Sequence, residues 1–340
     1  VIHAQIATDG TVGAAQTLTG PNFTIPQTLG TTAGSNLFHS FSTFNINAGQ
    51  SANFTTTTAL DNVISRVTGG SVSTINGQLQ LTAALGAPDF WFINPAGVVF
   101  GAGASINVPG AFHLGTADYI AFPDGDFKAT VPAGSTLSSA APEAFGFLGT
   151  QSNDIVINNG ATLSLSNGST LALAGGDITV NNAVVRNLNG GDIEVTAVGN
   201  TVAEIPVGGT LPATTGNLQL LNGGRIYTET SGALDAGDVT VMAGDITIND
   251  QNDTANGTYI GTSNTSASTG GSGGAISVTA TGDLRILDGG QITANTYASG
   301  DSGTVNIKAD ELFIDNVDNS AWYTGVLVTS DASASGDAQD

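Results

Sequence analysis

The sequence predicts an all-β chain folded as a parallel β-helix, and three observations carry that prediction. Val, Ile, Leu and Thr alternate with small polar residues over short runs, which Asn-Gly, Gly-Gly and Gly-Asp pairs separate. Residues that favour helices, such as Lys, Arg and Met, are nearly absent, and no stretch has the apolar spacing of an amphipathic helix. In the second half, apolar pairs recur at intervals of about 33 residues, which is typical of a solenoid.

The repeat consists of three sets of apolar residues that keep the same order along the chain. They are Val239/Val241 with Ile276/Val278 and Val305/Ile307; Ile246/Ile248 with Leu284/Ile286 and Leu312/Ile314; and Ile226 with Ile260, Ile292 and Val326. Alternate residues of each strand point inward, so equivalent residues are expected to stack from one coil to the next. Gly and Asn at the corners tolerate positive φ where the chain turns.

The chain divides by sequence character, although one continuous solenoid over residues 1–340 is expected. Residues 1–125 repeat poorly, hold most of the aromatic residues and are predicted to form an N-terminal cap, since a stack of coils needs closed ends. Residues 126–150 are predicted as a loop or an excursion, and 151–340 as regular coils. Residues 1–5 resemble the end of a signal peptide cleaved after Ala4, and the 331–340 tail indicates that the coils continue beyond residue 340.

Charge and composition exclude several functions. The net charge is −22 and the six Lys and Arg residues are dispersed, which argues against nucleic acid and anionic membranes as partners. The absence of Cys excludes a disulfide and a Cys-ligated metal. It has two explanations: a cytosolic chain can simply lack Cys, and an exported chain that crosses a pore unfolded gains from having none. We expect a monomer without a cofactor.

Catalytic and metal-binding patterns are weak. The segment 101–106 lacks the third glycine of a dinucleotide fingerprint, and His3, His39 and His113 are too scattered for a metal site. His39 and His113 follow phenylalanines, so packed or partly exposed histidines are predicted at these two positions. The tightest acidic pair, Asp124 and Asp126, lies in a predicted loop. Other acids recur at corners, where turn capping is the main interpretation and weak Ca²⁺ binding or catalysis are the alternatives. These corner acids are Asp177, Asp192, Asp238, Asp245 and Asp283. The chain is predicted not to be an enzyme.

Three segments together carry a resemblance to a known family. They are AGSNLFHSF at 33–41, NVISRVTGG at 62–70 with ING at 75–77, and FINPAGVVFG at 92–101 with Phe112 and 116–118. This combination resembles the N-terminal secretion domain of filamentous-haemagglutinin-type exoproteins of two-partner secretion systems, with the closest likeness to cyanobacterial members. The resemblance implies a right-handed parallel β-helix with an N-terminal cap and extra-helical β elements.

The resemblance also implies a function. Such a domain is recognised in the periplasm by the POTRA domains of a dedicated outer-membrane transporter, crosses the pore unfolded and folds outside. The implied location is outside a Gram-negative-type cell, secreted or on its surface. The remainder of such proteins usually serves adhesion, haemagglutination or cytolysis, which implies a second, extracellular partner of unknown identity.

The family motifs select five candidate residues for transporter recognition. N-P-N-G-I corresponds to residues 94–98, with Ala96 replacing Asn, whereas N-P-N-L falls near 70–73 and is not matched. By this resemblance Asn94, Pro95 and Gly97 are candidates. The residues themselves predict a turn, because Pro at the second position and Gly at the fourth favour type I. Asn62 and Arg66 complete the set. Each has two interpretations, shaping the cap or contacting the transporter; for Arg66 the first means an ion pair or a clamp on carbonyls.

Two other functions stay open at this point. Many parallel β-helices are polysaccharide lyases or hydrolases, which cleave their substrate with clustered acids or with bound Ca²⁺. A structural surface-layer or matrix protein is the other alternative. The enzyme alternative predicts cleavage of an acidic polysaccharide, and the structural alternative predicts self-assembly rather than receptor binding.

Overall fold

The computed structural model describes residues 5–149, 152–251, 256–265, 270–297, 299–317 and 322–330. The predicted cleavage site at Ala4 and the 331–340 tail lie outside these residues. The described chain consists of strands and connecting turns, with a single 3₁₀ turn at Gln27–Leu29. Within these ranges no helix has the length and hydropathy needed to span a bilayer.

The strands are short and follow one another closely. In chain order they are β1 Ile6–Thr8, β2 Asn22–Pro26, β3 Thr31–Ala33, β4 Asn36–Phe44, β5 Ser51–Thr56, β6 Asn62–Val67, β7 Ser73–Ile75, β8 Gln78–Ala83, β9 Asp89–Ile93, β10 Val98–Phe100, β11 Ser105–Asn107, β12 Phe112–Gly115, β13 Tyr119–Phe122, β14 Gly125–Lys128, β15 Ala144–Leu148, β16 Ile155–Asn158, β17 Thr162–Leu165, β18 Leu171–Gly175, β19 Ile178–Asn181, β20 Val184–Leu188, β21 Ile193–Ala197, β22 Val202–Pro206, β23 Leu218–Leu221, β24 Arg225–Thr230, β25 Val239–Ala243, β26 Ile246–Asn249, β27 Tyr259–Asn264, β28 Ile276–Ala280, β29 Asp283–Leu287, β30 Gln291–Thr296, β31 Val305–Lys308, β32 Glu311–Asp315 and β33 Gly325–Ser330.

The chain forms two compact units. The first, here the cap unit, comprises Val1–Val156, Ala172–Asp177 and Val198–Pro212. The second, here the coil unit, comprises Ile157–Leu171, Ile178–Ala197 and Ala213–Asp340. The boundaries expected from the sequence after residues 125 and 150 stay predictions.

The cap unit contains three parallel ladders that are closed by antiparallel strands at the start of the chain. The ladders are β4-β6-β9-β12-β18, β7-β10 and β2-β5-β8-β11, and both β1 and β3 pair antiparallel with β4. Phenylalanine rings fill the interior: Phe54 lies 4.8 Å from Phe90 and Phe44 lies 5.0 Å from Phe92 between ring centroids. This aromatic core contains the bulky side chains that the sequence predicted for a cap.

A four-stranded antiparallel sheet, β14-β13-β15-β22, is added outside the parallel ladders of the cap unit. Its apolar face packs with Phe38, Ile64 and Trp91, which project from the outer side of β4, β6 and β9. The segment 126–150, predicted as a loop or an excursion, therefore supplies most of β14 and all of β15. Of the two alternatives, the added sheet agrees with an excursion from the ladders and not with a loop. Its strands were not predicted, because Pro and Gly residues separate two runs of only four and five residues.

The coil unit has the register that the sequence predicts. Its ladders are β17-β20-β24-β27-β30-β33, β19-β23-β26-β29-β32 and β21-β25-β28-β31. Ile226 pairs with Ile260, then Ile292, then Val326, and the other two predicted ladders are in register as well. Asparagines occupy several corners with positive φ, among them Asn182 and Asn222. The predicted all-β, parallel β-helical class is confirmed.

Candidate functional site

Strand β6 carries two of the five candidate residues and is buried at all six positions. Its alternation places Asn62, Ile64 and Arg66 on one side and Val63 and Val67 on the other. Ile64 belongs to the apolar cluster beneath the four-stranded sheet, so this side of β6 is covered rather than exposed. A polar side chain in such a place needs partners within the protein.

The Arg66 guanidinium finds those partners in three segments that are distant in sequence. Arg66 is 1% exposed. Its Nε donates to Ser40 Oγ at 2.8 Å and its Nη2 to Thr11 Oγ1 at 2.9 Å. Its Nη1 donates to the Lys128 carbonyl oxygen and to Ser135 Oγ, both at 2.5 Å. One backbone carbonyl and three hydroxyls thus accept hydrogen bonds from the guanidinium.

The charge of Arg66 is balanced by Asp9 through bridging hydroxyls. Ser40 and Thr11 accept from the guanidinium and donate to the two carboxylate oxygens of Asp9 at 2.6 and 2.8 Å, and Thr68 adds a third hydroxyl at 2.7 Å. Burial acts to raise the pKa of Asp9, but these hydrogen bonds, led by that of Ser40, leave it below its usual value. Burial lowers the pKa of Arg66 to about 10, against the attraction of Asp9, so both groups are charged near neutral pH.

Strand β14 covers the guanidinium. The Phe127 ring centroid lies 4.1 Å from Arg66 Cζ, which is a cation–π contact between two buried side chains. Lys128, next in the strand, supplies the carbonyl already described. Arg66 thus fastens the first strand region, β4 and the added sheet to one another.

Asn62 forms a second polar ladder on the same side of β6. Its Nδ2 donates to Asn36 Oδ1 at 2.9 Å, and its Oδ1 accepts from Trp91 Nε1 at 3.3 Å. Asn36 in turn donates to the carbonyl oxygens of Ser138 at 2.9 Å and Ala140 at 2.5 Å. Asn62 therefore holds the connection before β15 against the parallel ladder.

Asn94 is fully buried and organises the predicted turn. Its Nδ2 donates to the Ser71 carbonyl at 3.0 Å and to Ser73 Oγ at 2.9 Å, while its Oδ1 accepts from the Ala96 amide at 3.0 Å. The Gly97 amide donates to the Asn94 carbonyl at 3.0 Å, which closes the turn. Gly97 has φ of +106°, a conformation that favours glycine. The turn prediction is confirmed.

Pro95 is the one candidate of the five that is partly exposed. Its carbonyl accepts from Asn153 Nδ2 at 2.7 Å. With Thr68, Ala129 and Thr130 it lines a cleft of about 210 Å³ that lies between the Arg66 network and the Asn94 turn. The candidates are thus brought into one part of the cap unit, mostly beneath its surface.

Sequence reasoning missed the partners of these residues. Asp9 is the only acidic residue among the first 60, and Arg66 is the only Lys or Arg among the first 125. The composition alone could therefore have predicted that these two residues pair. Asn36 and Asn62 each open a ladder strand and pair in register, a second signal. Nothing in the sequence singles out Ser40 and Thr11 as partners of Arg66, since serine and threonine are common throughout the chain.

The two described histidines are packed, as predicted. His39 has neither ring nitrogen hydrogen-bonded and lies 5.4 Å from Phe54 between ring centroids. His113 lies 4.1 Å from Trp91 by the same measure. Burial lowers the pKa of each to about 3, so both are neutral. His3 lies outside the described residues.

Corner acids of the coil unit cap backbone amides, as the main interpretation of the sequence holds. Asp192 accepts from the Asp238 amide at 2.8 Å, Asp238 from the Ala275 amide at 2.7 Å, and Asp245 from the Asp283 amide at 2.8 Å. Each carboxylate thus caps the same corner of the following coil. Over the part of the chain that the structure describes, no three His, Asp or Glu side chains are grouped as metal ligands would be.

Comparisons with known proteins identify the family. Two solved structures resemble the chain: the HMW1 secretion domain from Haemophilus influenzae (14% identity, TM-score 0.39, covering 100% of this chain and 98% of that one) and a filamentous hemagglutinin secretion domain (13%, 0.38, 88% and 91%). No curated protein sequence matches.

The family model described as the TPS secretion domain matches residues 4–329. Domains of this family belong to secreted exoproteins that work with a dedicated outer-membrane transporter, and the family is not an enzyme family. The chain therefore belongs to the TPS secretion domain family and is the export domain of a two-partner secretion exoprotein.

Proposed function

We propose that the POTRA domains of the transporter recognise this export domain in the periplasm, and that closure of the cap unit outside the cell starts folding of the β-helix. The observation that supports this proposal is the Arg66 network. A single guanidinium joins Thr11, Ser40 and the region of Lys128, and it is 1% exposed.

The order of synthesis and export gives this network a consequence. Two partners of Arg66 follow it by 62 and 69 residues along the chain. A chain that emerges from its N-terminus has both the arginine and Asp9 outside long before Lys128 and Ser135 follow. Desolvating the guanidinium without those partners is unfavourable. The cap unit therefore closes after residue 135 has emerged.

Burial indicates how the five motif residues contribute. Asn62, Arg66, Asn94 and Gly97 are buried in the folded cap unit, so a rigid partner could not contact their side chains there. We assign them a role in closing the cap, and recognition of the same segments to the unfolded chain in the periplasm. Pro95 is the member that the folded unit leaves partly accessible.

An export assay tests the proposal. Residues 1–340 are expressed behind a signal peptide in a Gram-negative host, with and without the transporter encoded next to the gene. We expect the chain in the medium only when the transporter is present, and a transporter that lacks its POTRA domains should leave the chain in the periplasm. Retention with the intact transporter verified in the membrane would contradict the proposal.

Variants refine the assay. Arg66→Met and Asn94→Ala should each reduce the amount of folded, protease-resistant chain in the medium. Arg285→Met is the matched control, because Arg285 pairs with Asp283 at 2.8 Å on an exposed part of the coil unit. Normal export and folding of both cap variants would overturn the residue assignment.

A further inference from the structure

The turn that follows β17 in the coil unit contains an Asn-Gly pair. Asn167 and Gly168 are both exposed, and Gly168 has φ of +76°, a conformation that favours glycine. The turn is anchored at its base, because Asn189 Nδ2 of the following coil donates to the Ser166 carbonyl oxygen at 2.9 Å. The base of the turn is therefore held by the next coil, while the pair itself faces solvent.

The Asn167 side chain folds back onto the backbone of this turn. Its Oδ1 accepts from the Ser169 amide at 3.1 Å, and the ring that this hydrogen bond closes contains both Asn167 Cγ and the Gly168 nitrogen. Among the residues that the structure describes, none accepts a hydrogen bond from the Gly168 amide. The turn thus keeps a backbone nitrogen near an amide carbon, with a donor on the oxygen where negative charge develops during an attack.

We propose that Asn167 is a site of spontaneous deamidation in the folded protein, a property separate from export. The Gly168 nitrogen loses its proton to hydroxide and attacks Asn167 Cγ, so that a new C–N bond forms. The bond from Cγ to Nδ2 breaks, ammonia leaves, and a cyclic succinimide remains in the chain. Water then opens the succinimide at either of its carbonyls and gives aspartate or isoaspartate. Hydroxide and water are the only co-reactants, and no group is oxidised or reduced.

Two other asparagines of the chain show which contacts prevent this reaction. Asn159 and Gly160 form an equally exposed Asn-Gly pair, but the Gly160 amide donates to the Asn182 carbonyl oxygen at 2.6 Å. That hydrogen bond must break before the nitrogen can lose its proton, which makes attack slower. Asn94 Oδ1 also accepts from a backbone amide, at 3.0 Å, but the next nitrogen belongs to Pro95 and carries no proton to lose. Asn167 combines the acceptor geometry of Asn94 with an unshielded glycine nitrogen.

The product changes the contacts of the turn with the next coil. Isoaspartate carries one additional backbone atom, so the distance along the chain between Ser166 and Ser169 increases. The carbonyl oxygens of these two residues accept from Asn189 Nδ2 at 2.9 Å and from Asn187 Nδ2 at 2.6 Å. A longer turn cannot keep both hydrogen bonds in place, so the isoaspartate form should be cut by proteases at this turn more readily than the unmodified chain.

The test follows deamidation of the purified 340-residue chain over time at mildly alkaline pH. Trypsin releases residues 129–186 as one peptide, since no Lys or Arg lies between Lys128 and Arg186. Fragmentation in the mass spectrometer then reports Asn159 and Asn167 from the same sample. We expect deamidation at Asn167 to be at least about tenfold faster than at Asn159 in the folded chain. In concentrated urea the two rates should be nearly equal, because both sites are then unfolded Asn-Gly pairs.

Two variants connect the modification to its consequence. Asn167→Gln keeps an amide but forms the larger cyclic imide far more slowly, so an aged sample should stay as resistant to protease as a fresh one. Asn167→Asp adds the charge without the additional backbone atom and should also stay resistant. Equal rates at Asn159 and Asn167 in the folded chain, or an intact Asn167 after the urea-unfolded chain has fully deamidated, would overturn the proposal. None of these results depends on the transporter, so failure here leaves the export proposal intact.

Discussion

The cap unit and the coil unit solve the same problem, burial of a parallel β-helix interior, by different means. The cap unit uses aromatic rings, an added antiparallel sheet and a buried ionic network that no other part of the described chain repeats. The coil unit uses isoleucine, valine and leucine ladders with one carboxylate per capped corner. Contacts unique to one place specify one arrangement, whereas repeated contacts add stability in equal steps. The comparison teaches that the starting point of the solenoid is specified in the cap and its extension in the coils.

Acidification should separate the two units most strongly, because the cap unit holds both described histidines and the coil unit has none in its sequence. The fold favours neutral His39 and His113, with pKa values of about 3 against 6.5 when exposed, so the unfolded chain binds more protons. Their stabilisation is complete above pH 6.5 and falls toward pH 3 by about 1.4 kcal/mol per pH unit for each histidine.

Urea unfolding from pH 7 to pH 5, monitored by hydrogen exchange in each unit, measures this effect. His39→Leu should halve the slope for the cap unit and leave the coil unit unaltered. A cap unit whose stability is constant over this range would contradict the prediction.

Removal of the buried arginine is the next largest effect. Arg66→Met leaves Asp9 and several hydroxyls without their cation, and we expect a loss of about 3 kcal/mol or more in the free energy of unfolding of the cap unit. Arg285→Met should change stability far less, because its ion pair is exposed and screened by solvent. Equal effects of the two substitutions would remove the distinction between the units.

A ladder truncation probes the coil unit. Ile260 is fully buried between Ile226 and Ile292, so Ile260→Ala should cost about 2–4 kcal/mol, mostly felt in the coils on either side. Hydrogen exchange should show weakened protection in β24, β27 and β30 and unchanged protection in β4 and β6. Loss of protection throughout the cap unit would contradict the prediction, because it would show that Ile260 stabilises more than the coils on either side of it.

The smallest expected effect is loss of one corner cap. Asp238 accepts the Ala275 amide at 2.7 Å, and Asp238→Ala should cost about 1 kcal/mol. Because Asp192 and Asp245 cap in the same way, each alanine substitution should cost a similar amount. Asp238 and Asp245 cap different corners, so the Asp238→Ala/Asp245→Ala double variant should cost the sum of the two. Denaturant titrations measure these costs. Strongly unequal or non-additive values would contradict the view that each capped corner of the coil unit contributes the same stability.

The sequence predicted the coil unit better than the cap unit, for a physical reason. Repeated apolar positions report their own pairing, so the alignment of Ile226 with Ile260 could be read from spacing alone. The partners of Arg66 could not, since a hydroxyl of Ser40 or a carbonyl of Lys128 carries no periodic signal. The β14 and β15 strands were missed because they are short and pair antiparallel, outside the repeat. The turn at Asn94 was predictable, because Pro95 and Gly97 restrict the backbone themselves.

The most direct test of the central claim, that the motif residues act by closing the cap unit, is native-state hydrogen exchange on the wild type and Arg66→Met. The account predicts that protection is lost together in β4, β6 and β14, three strands joined through one guanidinium, while the coil unit keeps its own. Unchanged protection in an Arg66→Met chain that is no longer exported would contradict the account and make Arg66 a direct contact of the transporter.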